Sequence, residues 1–120
     1  MARVLVCDDS TFMRMMIKKL LTDMGHEIVA EGGDGKQGVQ LYRQFKPDLV
    51  TMDITMPIMD GIQAVKHIHE EDPIARIVMV TAIGQRSIIS EALKAGASGF
   101  VIKPFDPEQV QETVNKVLAD

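Results

Sequence analysis

At 120 residues the chain is the size of one domain, 1–120, and can bury a core without disulfides or a structural metal. Hydrophobic residues make up 46% and charged residues 25%, ordinary for a soluble globular protein, and the formal charge of −4 with no Lys/Arg cluster argues against a nucleic-acid partner. One cysteine, Cys7, rules out an internal disulfide and suits a reducing compartment, and the Val4–Cys7 run is too short for a signal peptide or membrane span. The expectation is therefore a cytoplasmic protein with no membrane partner.

Residues 3–7 (RVLVC) form a continuous β-branched run that predicts a fully buried strand. It ends in two adjacent acids, Asp8 and Asp9, which repel one another unless they are solvated or share a cation. Phe12, Met13, Met16, Ile17, Leu20, Leu21 and Met24 then recur at helical spacing up to the stop at Gly25, which marks these methionines as core filling and leaves Met15 off the stripe. A second strand fits 27–31. After a Gly-rich turn comes a helix with Leu41, Tyr42 and Phe45 on one face, ended by Pro47. Residues 48–53 (DLVTMD) predict a third strand, again closing on an acid, and 61–71 a helix closed by Pro73. The fourth strand falls at 75–82, its helix at 86–97 with a stop at Gly96, and the fifth strand at 99–103. Asp106-Pro107-Glu108-Gln109 has a capping acid, Pro at the first helical position and Gln three after the cap; a last helix runs from there to about Leu118.

Strict alternation of five strands and five helices predicts an α/β domain, a parallel sheet covered on both faces. Right-handed crossovers make it doubly wound and put function at the carboxyl ends of the strands. The polar residues fall there: Asp8 and Asp9 after strand one, Asp53 after strand three, Thr81 at strand four, Lys103-Pro104 after strand five. If strands one and three are neighbours, three acids converge in one cleft, with Thr81 and Lys103 arriving from the other side. Clustered carboxylates suit a hard, oxygen-ligated cation, above all Mg²⁺. A cation lets a carboxylate meet a phosphoryl group, and the carboxylate can itself be the nucleophile. Lysine and threonine supply a charge and a hydroxyl for phosphoryl oxygens. The pattern reads as phosphoryl transfer onto an aspartate.

The stretches VLVCDDS, PDLVTMDITMPIMDG, VTA (80–82) and KAGASGFVIKPF, in this order and spacing, resemble the receiver domains of two-component signalling over the whole chain. The stand-alone chemotaxis receivers are the best match. The resemblance implies a flavodoxin-like strand order 2-1-3-4-5 and Asp53 as phosphoacceptor. It implies Mg²⁺ held by Asp9, Asp53 and the backbone carbonyl of Thr55, with Asp8 assisting through water. Lys103 and Thr81 would face the phosphoryl oxygens, the Lys103–Pro104 peptide would be cis, and Phe100 would hold the aromatic switch position coupled to Thr81. Many relatives carry tyrosine there; phenylalanine removes that hydroxyl from any output relying on it and leaves a steric rotamer switch. The implied partners are a chemotaxis-type histidine kinase, an output protein such as the flagellar motor switch, and a phosphatase. Such a protein catalyses nothing beyond its own phosphorylation and dephosphorylation. A phosphorelay intermediate is the alternative.

Competing readings are weaker. Gly33–Gly38 (GDGKQG) is a literal G-x-G-x-x-G with Asp53 at a plausible distance for a ribose-binding acid, but it follows the second strand in a chain too short for two mononucleotide halves. A haloacid-dehalogenase-like phosphatase wants its two acids spaced D-x-D, whereas here they are adjacent and Ser10 follows. A flavodoxin-like cofactor site would set two anions against a phosphate. Taken singly, the adjacent acids could be helix caps and Lys103 a solvated charge. His67 and His69, two apart on a helix, face different sides and do not make a metal pair; His26 reads as a loop residue.

Overall fold

The computed structural model describes residues 1–82 and 84–120. In chain order the elements are β1 (Arg3–Cys7), α1 (Thr11–Asp23), β2 (Glu27–Gly32), α2 (Gly35–Phe45), β3 (Leu49–Met52), α3 (Gly61–Glu71), β4 (Ile77–Thr81), α4 (Arg86–Ala95), β5 (Gly99–Ile102) and α5 (Pro107–Ala119). The strands form one parallel sheet in the order β2-β1-β3-β4-β5. The chain winds outward from β1 in both directions, and the order reverses between β1 and β3. No helix among the described residues is long and apolar enough to cross a membrane.

Alternation along each strand divides the core in two. Leu5, Cys7, Val50, Met52, Ile77 and Met79 meet Val39 and Tyr42 of α2, Val65 and Ile68 of α3, and Ala92 of α4. Val4, Val6, Leu49, Val78, Val80 and Val101 meet Ile17 and Leu21 of α1 and Val110, Val114 and Val117 of α5. The central strands are covered on both sides, which explains why their sequences are apolar without alternation.

Capping fixes where the helices start. Ser10, Asp34 and Asp60 each accept a hydrogen bond from the backbone N–H three residues on, and Asp106 does so from the N–H of Glu108. Two glycines of GDGKQG, Gly35 and Gly38, serve packing. The Gly35 N–H donates to the Met59 carbonyl (2.9 Å), and a Cβ on Gly35 would stand 2.3 Å from that oxygen. A Cβ on Gly38 would press on the Cys7 sulfur and the Met52 side chain. Cys7 itself is a core thiol, pushed up to about 12 chiefly by burial.

Two expectations need correction. Phe12 and Met16, placed on the buried stripe of α1, are 61% and 41% exposed, because Ile17 and Leu21, with Leu20 and Met24 packed beside them, fill the contact with the core. The fourth strand is shorter than 75–82, since the Ala75 N–H turns back to the Asp72 carbonyl before pairing begins at Ile77. The fourth helix ends at Ala95 with the stop expected at Gly96, which takes φ 126° and returns its N–H to the Leu93 carbonyl, so only the last residues of 86–97 fall outside it. His67 is exposed and His69 half-buried, so they do not converge; His26 is more than a loop residue, its Nδ1 accepting the Ala2 N–H at 3.0 Å.

Candidate functional site

Parallel pairing carries on past the strand ends and so sets the site. The Asp53 N–H donates to the Cys7 carbonyl (2.9 Å), the Asp8 N–H to the Gly32 carbonyl (3.1 Å), and the Lys103 N–H to the Thr81 carbonyl (2.7 Å). Each functional side chain therefore leaves the sheet at the same level. Carboxylate oxygens of Asp8, Asp9 and Asp53 lie within 4.8 Å of one another. Asp8 is fully buried and Asp53 nearly so, whereas Asp9 is exposed at the mouth.

Lys103 crosses the cleft from β5. Its Nζ lies 2.7 Å from Asp8 Oδ2 and 3.4 Å from Asp53 Oδ2. The second oxygen of Asp8 accepts the Ser10 N–H (2.9 Å), and Asp53 Oδ1 accepts the Ile54 N–H (2.8 Å). Burial is the main reason the Asp53 carboxyl titrates above its ordinary value; Lys103 opposes this and Asp8 adds to it. One ammonium against three carboxylates leaves the pocket with a surplus of negative charge. Oxygen donors, a negative surplus and an open side at Asp9 fit a hard divalent cation.

The loop after Asp53 is held from both ends. The Gly61 N–H donates to the Ile54 carbonyl (2.7 Å), and a Cβ on Gly61 would fall 1.9 Å from the Asp53 carbonyl oxygen. Only glycine fits there, which ties the start of α3 to the acid at the end of β3. Between them the Met59 N–H returns to the Pro57 carbonyl (2.7 Å), closing a γ-turn about Ile58 at φ 71°. Thr55 is exposed on this loop, two residues from Asp53.

Thr81 is buried at the end of β4, and Phe100 on β5 is 39% exposed, bordering Leu93 of α4 and Gln109, Thr113 and Lys116 of α5. The Lys103–Pro104 peptide is cis. Asp8, Asp9, Asp53 and Lys103 are thus brought together, while Phe100 is partly exposed on β5, beside α4 and α5. Sequence reasoning missed Arg14, whose Nη1 donates to the Asp8 carbonyl at 2.6 Å. A lone arginine four residues after the capping Ser10, on the first turn beside the acids, was the available signal.

A doubly wound sheet with an acid cluster and a lysine at its switch point defines a class of phosphoryl- or cation-handling α/β proteins. Comparison narrows it. Residues 4–115 match the response regulator receiver domain model, and the chain belongs to that family. It is 50% identical over 115 residues to the chemotaxis protein CheY of Thermotoga maritima, covering 96% of each chain. Against the chemotaxis protein CheY of Bacillus subtilis it is 53% identical over 116 residues, 97% of each. Among solved structures it is similar to one described as the CheX-CheY-BeF3-Mg+2 complex from Borrelia burgdorferi, with a TM-score of 0.93 and 37% identity, over 96% of this chain and 87% of that one. The chain is a receiver of the chemotaxis type, a signalling protein rather than a conventional enzyme.

Proposed function

We propose that the protein is a phosphorylation-driven switch in which Asp53 accepts a phosphoryl group from a histidine kinase. The observation that carries this is the trio of carboxylates within 4.8 Å, bridged by a lysine that contacts both buried members. Asp9 and Asp53, with the Thr55 carbonyl, are the residues to hold Mg²⁺, and Asp8 supports them from behind. Bound there, Mg²⁺ would neutralise charge on the phosphoryl oxygens. The Asp53 carboxylate attacks the phosphorus of a phosphohistidine: the P–N bond breaks, an aspartyl O–P bond forms, and the imidazole leaves. Lys103 is already drawn toward Asp53 and follows the new charge, while the Thr81 hydroxyl donates to a phosphoryl oxygen. Movement of Thr81 gives Phe100 space to turn inward, which changes the surface of α4, β5 and α5 that an output protein reads. By analogy with the CheY relatives, a chemotaxis kinase and a flagellar motor protein are the proposed donor and target, in the cytoplasm.

The test uses a small acyl-phosphate donor with Mg²⁺ and intact-mass spectrometry. One acid-stable, alkali-labile phosphate is expected on the parent and none on Asp53→Asn. Full labelling of Asp53→Asn at another residue would overturn the assignment.

A further inference from the structure

Arg14 takes no part in the chemistry above, yet it is fixed against the site. Its guanidinium donates from Nη1 to the backbone carbonyl of Asp8 (2.6 Å), from Nε to Glu31 Oε1 (3.0 Å) and from Nη2 to Thr11 Oγ1 (3.3 Å). Its side chain is only 17% exposed. Glu31 is held in turn by Lys18, and its carboxyl sits below the ordinary range because of the hydrogen bonds from Lys18 and then Arg14. The planar fork is therefore anchored at both ends, a geometry that an ammonium cannot reproduce.

The carbonyl it grips belongs to the peptide between Asp8 and Asp9. Asp8 is otherwise held by its N–H on Gly32 and by its two carboxylate oxygens on Lys103 and the Ser10 N–H. Asp9 has no such supports: no side-chain hydrogen bond or ion pair to a described residue fixes its carboxylate. The Asp9 side chain leaves the backbone between two peptides: the Asp9–Ser10 peptide, whose N–H is held by Asp8 Oδ1, and the Asp8–Asp9 peptide, whose carbonyl Arg14 holds.

We infer that Arg14 is a positioning residue for the cation site, acting through the Asp8–Asp9 peptide on the carboxylate of Asp9; the inference rests on the reading of this pocket as a Mg²⁺ site. Charge and geometry make opposite demands. As a mere positive charge near the pocket, Arg14 would repel a divalent cation, and its loss would tighten binding. As the clamp on the Asp9 peptide, its loss loosens a ligand and weakens binding, most of all for Mg²⁺, which requires near-ideal octahedral geometry where Ca²⁺ tolerates a flexible shell.

The experiment titrates Mg²⁺ and Ca²⁺ separately into the full chain and follows backbone amide shifts by NMR. For Arg14→Gln the Mg²⁺ Kd should rise about tenfold and the Ca²⁺ Kd distinctly less, so that the preference for Mg²⁺ falls. Arg14→Lys should lie nearer to Arg14→Gln than to the parent. Glu31→Gln, a change at the surface, should shift both in the same direction by less, and it serves as the test if Arg14→Gln does not fold. Mg²⁺ affinity unchanged or increased in Arg14→Gln would overturn the inference, as would equal losses for the two ions. A parent that binds no Mg²⁺, or an Asp9→Asn variant that binds it fully, would instead overturn the cation reading itself and this inference with it.

Discussion

Ile58 stands in the left-handed region at φ 71° with its side chain 80% exposed. A β-branched residue gains nothing from that exposure and carries strain of about 1–2 kcal/mol in that conformation. Glycine has no Cβ to clash there, so Ile58→Gly should raise stability by about 1 kcal/mol despite its greater unfolded-chain freedom, read as a higher denaturant midpoint; an equal or lower midpoint would mean that the loop is not strained at this residue. His26 offers a pH test. Burial and then the N-terminal ammonium keep its pKa below the ordinary histidine value, while its Nδ1 accepts the Ala2 N–H. The folded-state value lies below the unfolded one, so the unfolded chain binds more protons just below the ordinary pKa. The stability His26 contributes is present above that pKa and lost as pH falls through the folded value. The melting temperature of the parent should therefore exceed that of His26→Gln at about pH 7.5 and lose this margin by about pH 5.5. A margin independent of pH would rule out linkage at His26.

At Gly35, α2 meets the loop after β3 through backbone. Gly35→Ala pushes a methyl into the Met59 carbonyl, 2.3 Å away, and should cost about 2 kcal/mol or more in unfolding free energy. Gly33→Ala, whose nearest new neighbour is Arg14 Nη1 at 3.6 Å, should be close to neutral. Similar losses at the two positions would show that the turn as a whole, not this contact, matters. The same pair shows what could be read from sequence. Asp34, Gly35 and Gly38 were visible as a motif, but the neighbour that Gly35 admits is Met59, twenty-four residues on, and those of Gly38 are Cys7 and Met52 on two different strands. Strand ends carrying Asp8, Asp9, Asp53, Thr81 and Lys103 were legible because parallel α/β order alone puts such ends together. Periodicity located α1 but not the width of its buried face, so Phe12 and Met16 were misplaced. The partial exposure of Phe100 was equally out of reach, since alternation along β5 names a face of the sheet and not how far α4 and α5 cover it.

Across the whole molecule, the two cores leave the carboxyl edge of the sheet as the one place where elements from both meet the acids. If Phe100 carries the output, Phe100→Ala should take up phosphate near the parent's rate, because Phe100 touches none of the acids, and yet lose phosphate-dependent binding of its target, measured by titration calorimetry with the phosphorylated protein. Unaltered binding would make Phe100 a packing residue. The ion pair between Asp8 and Lys103 has a further consequence. Its partners are 95 residues apart in sequence, so the closing contact of the site is one of the longest-range contacts in the chain. Long-range contacts form only once the intervening segments have collapsed, and in a protein emerging from the ribosome they cannot form until the distal partner has been made. A nascent chain that has exposed Asp8, Asp9 and Asp53 but not yet Lys103 has its acids without their counter-charge. The pocket therefore reaches its full charge balance only after Lys103 has been made, late in the order of synthesis.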